Sequence, residues 1–505
     1  VTGVQTCALP ISDIVLGDSQ SDLTVRHQRS RGPLTLSTRQ TNSGLPGAQT
    51  VPLSFVQTPS GGWNLVLPVE LAAGSVVMGG GESFTRPDKT GQVLALETRD
   101  AHGNTTSQQY KPVPFLLSSD GWGVFCDTST QIYVDVAAGN AHQMVFYVPA
   151  VDVTDVYFFF GTPAEILASY TAITGRAPRV PAWSHGLWMS RISYSSYDEV
   201  AEVASTLREQ RIPCDVLHLD TAWFEHDWQC DWQFSATRFP DPEGMIRDLH
   251  EQGYRVSLWQ LPYVWQTSTH FAELRDRDLL VRSPSGRAQN GFSVIDMSNP
   301  AAVDWYRARL SELKSLGVDA VKTDFGESAP ADGVYHSGAS GALEHNRFPV
   351  RYGEAAWRVF GSDGDSVLWS RSAWAGSQRY PVHWGGDTET SDVGMLRSLY
   401  GALSLGMSGF TYWSCDIGGF TAAPDEELYR RWLPYGLLLS HSRCHGKPPR
   451  EPWHYSESFV DYFRTVARLR YRLLPYIAAE AHASALSGQP FARPARIRAR
   501  RADGV

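Results

Sequence analysis

The sequence predicts a (β/α)8 barrel preceded by an antiparallel β-sandwich, and three observations carry that expectation. First, residues 13–162 hold short alternating apolar runs broken by Gly, Pro, Asn and Ser, with no long helical period. Second, beyond residue 182 strand-sized and helix-sized segments alternate, as βαβ units around a parallel sheet do. Third, several of those candidate strands finish in a polar or ionisable residue, and in a barrel such ends converge on one mouth.

In the amino-terminal part the strand-like runs are 63–67, 91–96, 123–126, 131–136 and 144–148. Near Pro163 the period turns helical, and 176–181 (RAPRVP) reads as the connection, so 163–182 is expected as a linker and 183–488 as the barrel. Candidate barrel strands are 186–190, 215–220, 255–260, 320–324, 366–371, 382–387 and 409–414, with a weaker eighth at 437–441. Candidate helices include 197–210, 242–252, 300–316 and 392–405. An open doubly wound sheet would carry a Gly-rich phosphate loop after its first strand, and the sequence offers none there.

Composition narrows the function. The 505 residues leave room for two or three domains, and 42% hydrophobic with 19% charged residues is ordinary for a globular protein. A net charge of −9 argues against nucleic acid or an anionic membrane as partner. No apolar run approaches a membrane span; 156–160 is the greasiest and is strand-sized. Cys7, Cys126, Cys214, Cys230, Cys415 and Cys444 are scattered, which predicts buried reduced thiols rather than disulfides or a zinc cluster. Of 17 tryptophans, 15 fall between Trp183 and Trp453, and flat rings stack on the apolar faces of sugars as readily as they fill cores.

The ends read differently. Residues 1–12 (VTGVQTCALPIS) resemble a translated sequencing adapter and are left out of the fold expectation. The stretch 489–505 turns Arg-rich and loses its apolar period, as an aberrant or truncated tail would. No signal peptide is visible, so a cytoplasmic location is the expectation.

The strand ends carry the chemistry. Asp220 closes VLHLD, Asp324 closes AVKTD, Arg371 closes VLWSR and Asp387 closes VHWGGD. A retaining glycosidase needs two carboxylates about 5–5.5 Å apart, one to attack the anomeric carbon and one to protonate the leaving oxygen and then activate water. Asp324 and Asp387 are candidates for that pair, although a charged strand end can equally be a cap or an ion pair.

At this point whole motifs become recognisable. KTDFGE (322–327), RSAWAGSQRYPVHWGGD (371–387), GFTYWSCDIGGF (409–420), RFPDPEGMIRDLHEQGYRVSLWQLPY (238–263) and LLLSHSRCHG (437–446) resemble glycoside hydrolase family 31, collinearly from about residue 80 to 490. The branch they look most like is the α-xylosidases, whose nucleophile motif shares the Lys-Thr-Asp-Phe-Gly-Glu run. The resemblance implies a retaining α-glycoside hydrolase releasing non-reducing-end α-xylose from oligosaccharides or xylosides, with Asp324 as nucleophile and Asp387 as acid/base. It further implies that Arg371 and His445 bond sugar hydroxyls, that Asp220 fixes a distal hydroxyl, and that Lys322 and Asp296 belong to the site. Trp259, Trp384 and Phe420 would wall the pocket, Asp416 would bind or brace a loop, and Asp100 would arrive on a loop from the amino-terminal sandwich. No metal or cofactor is implied, and the partners expected are a glycoside substrate and, at most, further copies of the chain.

Two departures from the family pattern stand out. Where the xylosidases carry Cys-Phe after the strand-two aspartate this chain has Thr221-Ala222, which keeps α-glucosidase, α-galactosidase and transglycosidase activities open. Family members also continue into carboxy-terminal β-domains, absent from this sequence. Of different class, a carbohydrate-binding pseudoenzyme would lack Asp324 and Asp387, and a metal-dependent barrel hydrolase would carry His-x-His where this chain has Met189-Ser190-Arg191.

Overall fold

The structure, a computed structural model, describes residues 51–59, 61–149, 155–283 and 291–494, with the backbone of four short strands before residue 51. The adapter-like 1–12 and the end of the Arg-rich tail, 495–505, lie outside the described residues, save the backbone of Val4–Thr6, which runs parallel to Asp155–Phe160.

Two sheets face each other in the amino-terminal part. One runs Ser54–Gln57, Trp63–Glu70, Gln143–Pro149, Ile132–Val136, Gln92–Leu96; the other includes Asp155–Phe160, Trp122–Asp127, Phe115–Ser118 and Val77–Gly79. The period-2 pattern explains the stacking: Ile132, Val134 and Val136 of the first sheet and Trp122, Val124 and Cys126 of the second bury alternate side chains in one shared core.

The barrel follows. Its strands β1 (Leu187–Arg191), β2 (Val216–Leu219), β3 (Arg255–Gln260), β4 (Ala320–Thr323), β5 (Val367–Ser370), β6 (Asp416–Ile417) and β7 (Ser442–Cys444) form one parallel sheet in the order β5-β4-β3-β2-β1-β7-β6. The gap between β5 and β6 is bridged by 382–385, where Ser370 N–H donates to the Val382 carbonyl and Gly385 N–H to the Ser414 carbonyl. Aromatic side chains fill the interior, with Trp188 and Trp369 ring centroids 4.5 Å apart and Trp384 buried beside them.

Helix starts match the sequence because each carries a cap. Ser196 caps Tyr197–Glu209, Asp241 caps Pro242–Glu251, Asn299 caps Pro300–Ser315 and Ser391 caps Asp392–Gly406, each side-chain oxygen accepting a backbone N–H of the first turn. Three further helices, Gly341–Phe360, Glu426–Leu437 and Glu457–Ser487, each contain a proline (Pro349, Pro434, Pro475) that masks the helical period. The strand expected at 437–441 lies instead at Ser442–Cys444, β7. Leu437 ends a helix, and the carbonyls of Leu437, Leu439 and Ser440 accept from buried Arg470 instead of a sheet partner. The expected strand 409–414 is likewise shifted: the assigned pairing is at Asp416–Ile417. Cys126, Cys214, Cys230, Cys415 and Cys444 are free and buried. Among the described residues no helix is long and apolar enough to cross a membrane.

Candidate active site

Arg371, at the end of β5, is the hub of the barrel mouth. Its guanidinium is bidentate to Glu327, with Nε to Oε1 and Nη2 to Oε2 both 2.9 Å. Its Nε lies 3.2 Å from Asp324 Oδ1, its Nη1 3.4 Å from Asp387 Oδ2 and its Nη2 3.1 Å from Asp100 Oδ2. Residues from β4, β5, the 382–387 segment and the amino-terminal sandwich therefore meet on one planar cation.

Asp324 follows β4 directly. Its Oδ2 accepts from the Trp259 indole N–H at 2.8 Å and lies 3.3 Å from Lys322 Nζ, while its Oδ1 accepts from the Phe325 N–H at 2.8 Å. Phe325 takes a left-handed φ of 59°, unusual for an aromatic residue, and stacks under Arg371 at 3.9 Å. The next residue must be glycine: Gly326 has φ 104°, and a Cβ there would meet Ser372 Oγ at 2.5 Å.

Lys322 alternates with Asp324 along the strand and so faces the same side. Its Nζ bridges Asp324 to Asp220, 3.0 Å away. Asp220 Oδ2 also meets His218 Nε2 at 3.0 Å and lies 3.5 Å from His445 Nε2. The other nitrogens of these rings bond Ser257 Oγ and Ser190 Oγ, which fixes their orientation. Phe420 lies over His445 with centroids 5.7 Å apart. Trp384 is buried, with Lys322 Nζ 5.0 Å from its ring, and its indole N–H has no hydrogen-bond partner among the described residues; the same holds for His445 Nε2.

The charges settle unequally. Burial alone would raise the Asp324 carboxyl, but Lys322 and Arg371 outweigh it and hold the group below the ordinary carboxylate range. Asp220 falls further: burial opposes ionisation, and Lys322, His445 and His218 together overcome it. Asp387 is pushed up to about 7, first by burial; Arg371 opposes that rise and ionised Asp324 adds to it. Like-charge repulsion from Asp324 is thus a contributor behind desolvation, not the leading cause. Burial keeps His218, lowered to about 4, and His445 neutral. Near neutrality an ionised Asp324 sits beside an Asp387 that is half protonated, the division of roles that acid/base chemistry uses.

Two expected residues lie apart from this cluster. Asp296 accepts from Ser298 N–H and Oγ on one oxygen and from His336 N–H on the other, so it ties loops together. Asp416 pairs inside the barrel with Arg443 at 2.5 Å. The sequence reading missed Glu327, His218 and Ser190. Glu327 sits three residues after Asp324 inside the same motif, which was a signal available for it. The two rings that follow Ala222 are fully buried against Trp259: Trp223 donates to the Trp259 carbonyl at 2.8 Å, and Phe224 packs edge-on to the Trp259 ring. A separate cavity of about 550 Å³, lined by Arg208, Arg211, Arg468 and Arg472, lies by the N-terminal end of β2 and holds no carboxylate.

Comparison with known proteins meets this geometry. Residues 177–480 match the glycosyl hydrolases family 31 TIM-barrel domain, and residues 17–135 match the glycosyl hydrolase 31 N-terminal galactose mutarotase-like domain. The chain is 36% identical over 439 residues to an α-xylosidase of Emericella nidulans, covering 84% of this chain and 56% of that protein. It is 37% identical over 443 residues to an α-xylosidase of Lactiplantibacillus pentosus, covering 83% and 57%. A cycloalternan-degrading enzyme from Trueperella pyogenes, solved in complex with a covalent intermediate, superposes with a TM-score of 0.78 at 26% identity, covering 85% of this chain and 67% of that one. The chain belongs to glycoside hydrolase family 31. It spans a little over half the length of the two α-xylosidases.

Proposed function

We propose that this chain carries the active site of a retaining α-glycoside hydrolase that releases α-xylose from the non-reducing end of its substrate. The observation that carries the reading is the pair on Arg371: an Asp324 carboxylate held ionised and an Asp387 carboxyl raised to about 7, both within 3.4 Å of one guanidinium. That shared anchor is compatible with the roughly 5–5.5 Å separation of retaining glycosidases. In the first step Asp324 attacks the anomeric carbon as the glycosidic C–O bond breaks, and Asp387 gives its proton to the leaving oxygen. In the second, ionised Asp387 takes a proton from water, which displaces Asp324 and restores both groups.

The remaining residues bind. Asp220, ionised and turned by Lys322 and His218, accepts from sugar hydroxyls, and a polar anchor of that kind discriminates strongly. Arg371, His445 Nε2 and the Trp384 indole N–H donate, while Trp259, Trp384 and Phe420 form the walls. Asp100 holds Arg371 from the sandwich side, and Asp296 acts at a distance by bracing the loops.

The xylose preference rests on the KTDFGE motif and on the relatives' names. A hexoside reading is favoured by one observation: Thr221-Ala222 is smaller than the Cys-Phe pair that the resemblance to the α-xylosidases leads one to expect there. Rates on p-nitrophenyl α-xyloside, α-glucoside and α-galactoside separate the two, with NMR of the first-formed anomer reporting stereochemistry. The xyloside is expected to be fastest, with retention, and Ala222→Phe is expected to spare it while suppressing any glucoside turnover. If a hexoside is preferred and Ala222→Phe abolishes all turnover, the sugar is wrong; an inverted product overturns the mechanism itself.

A further inference from the structure

The stretch of the amino-terminal part that reaches the barrel mouth holds a charge pair with no role in the chemistry above. Lys111 Nζ lies 2.5 Å from Glu82 Oε2, both side chains fully buried, and the two residues are also joined by Glu82 N–H donating to the Lys111 carbonyl at 2.8 Å. Glu82 Oε1 accepts from the Trp413 indole N–H at 2.8 Å, and Lys111 Nζ donates to the Trp384 carbonyl at 2.6 Å. No solvent or sugar can reach the ammonium, so its work is on protein.

The segment it holds runs Trp384-Gly385-Gly386-Asp387. A Cβ on Gly385 would meet the Trp413 ring at 2.9 Å, and one on Gly386, which has φ 67°, would meet the Tyr110 ring at 2.3 Å. The two glycines are therefore threaded between one ring fixed by Glu82 and another adjoining Lys111 in sequence. Two glycines in a row would otherwise leave the following side chain poorly fixed. Here the carbonyl before them is fastened by a cation and both flanks are closed.

Resting on the reading of Asp387 as acid/base, we propose that the buried Lys111–Glu82 pair is a positioning device for that carboxyl. It sets the Trp384 carbonyl, and through the glycine turn the approach of Asp387 to the leaving oxygen. A displacement on the order of 1 Å in such a group costs about 10²-fold in rate. The loss is selective, because only substrates that need protonation of the leaving group feel it.

The test is the double variant Glu82→Gln with Lys111→Met, which removes both charges and leaves no orphan ion in the interior. It is measured on the sugar the wild type prefers, as the p-nitrophenyl glycoside and as the methyl glycoside. The expected result is a loss of kcat/KM on the methyl glycoside about tenfold or more greater than on the aryl glycoside. A shifted alkaline limb of the pH profile is expected with it. Glu82→Gln alone, nearly isosteric, serves if the double variant does not fold, and the same selective loss in smaller degree is expected. Equal losses on both substrates, in whichever variant is folded, overturn the proposal. Asp387→Ala run alongside keeps the readings apart: if it shows no leaving-group dependence, the acid/base assignment fails first.

Discussion

The raised carboxyl of Asp387 makes the pH profile the most direct probe of this site. The general acid must be protonated to act, so kcat/KM on a glycoside with a poor leaving group should fall as pH rises through about 7. At one unit above that value about one molecule in eleven keeps the proton, and each further unit costs about tenfold. On the acid side the nucleophile must be ionised, and because Lys322 and Arg371 hold Asp324 below the ordinary carboxylate range, that limb should lie in the low-pH region. The assay is initial rates at low concentrations of the methyl glycoside between about pH 4 and pH 9, for wild type and Asp387→Ala. Asp387→Ala should lose about 10²–10⁴-fold on this substrate and lose the alkaline limb with it. An alkaline limb that persists unchanged in Asp387→Ala, or a wild-type rate flat to pH 9, would refute the assignment of the titrating acid.

Three further perturbations probe neighbouring links. Asp324→Ala should lower activity by about 10⁴-fold with the fold intact, and azide should partly restore turnover of the p-nitrophenyl glycoside; full activity in a folded variant sinks the nucleophile assignment. Lys322→Met removes the largest influence opposing burial at Asp324, so the acid limb of kcat/KM should move to higher pH; an unmoved limb means that Lys322 does not set the ionisation of Asp324. Asp387→Asn tests linkage: a carboxyl raised in the fold loses its stabilising contribution as pH climbs from the ordinary range through about 7. The melting temperature of Asp387→Asn relative to wild type should therefore climb across that window and level off above it, and a pH-independent difference contradicts the burial argument.

Much of this site was legible because the barrel turns a one-dimensional signal into a cluster. Asp220, Asp324, Arg371 and Asp387 each end a strand-like run, and parallel strands bring such ends together. What escaped the sequence was of three physical kinds. Helices with internal prolines lost their period, as Pro349, Pro434 and Pro475 show. Strand limits near residue 440 were decided by Arg470, a side chain some thirty positions further on that takes the carbonyls a strand would use. Contacts between the sandwich and the barrel, such as Lys111 with Trp384, join residues more than 250 positions apart and leave no periodic trace, and Asp100 was placed near the site through the family resemblance alone.

The proposed assignment of acid and nucleophile rests on competition for too few cations. Asp100, Asp220, Asp324, Glu327 and Asp387 crowd the mouth, and among the described residues Lys322 and Arg371 are the lysine and arginine paired with them. Asp324 lies against both cations, and Asp220 has Lys322 with two histidines, so both stay ionised. Glu327 and Asp387 share what is left of Arg371, and burial raises both. Glu327, however, is fully enclosed and commits both oxygens to the guanidinium. Asp387 holds Arg371 by one contact at 3.4 Å and keeps 27% of its side chain exposed. A raised carboxyl can act on a substrate only if it can reach one, and of the two it is Asp387 that has both the proton and the opening.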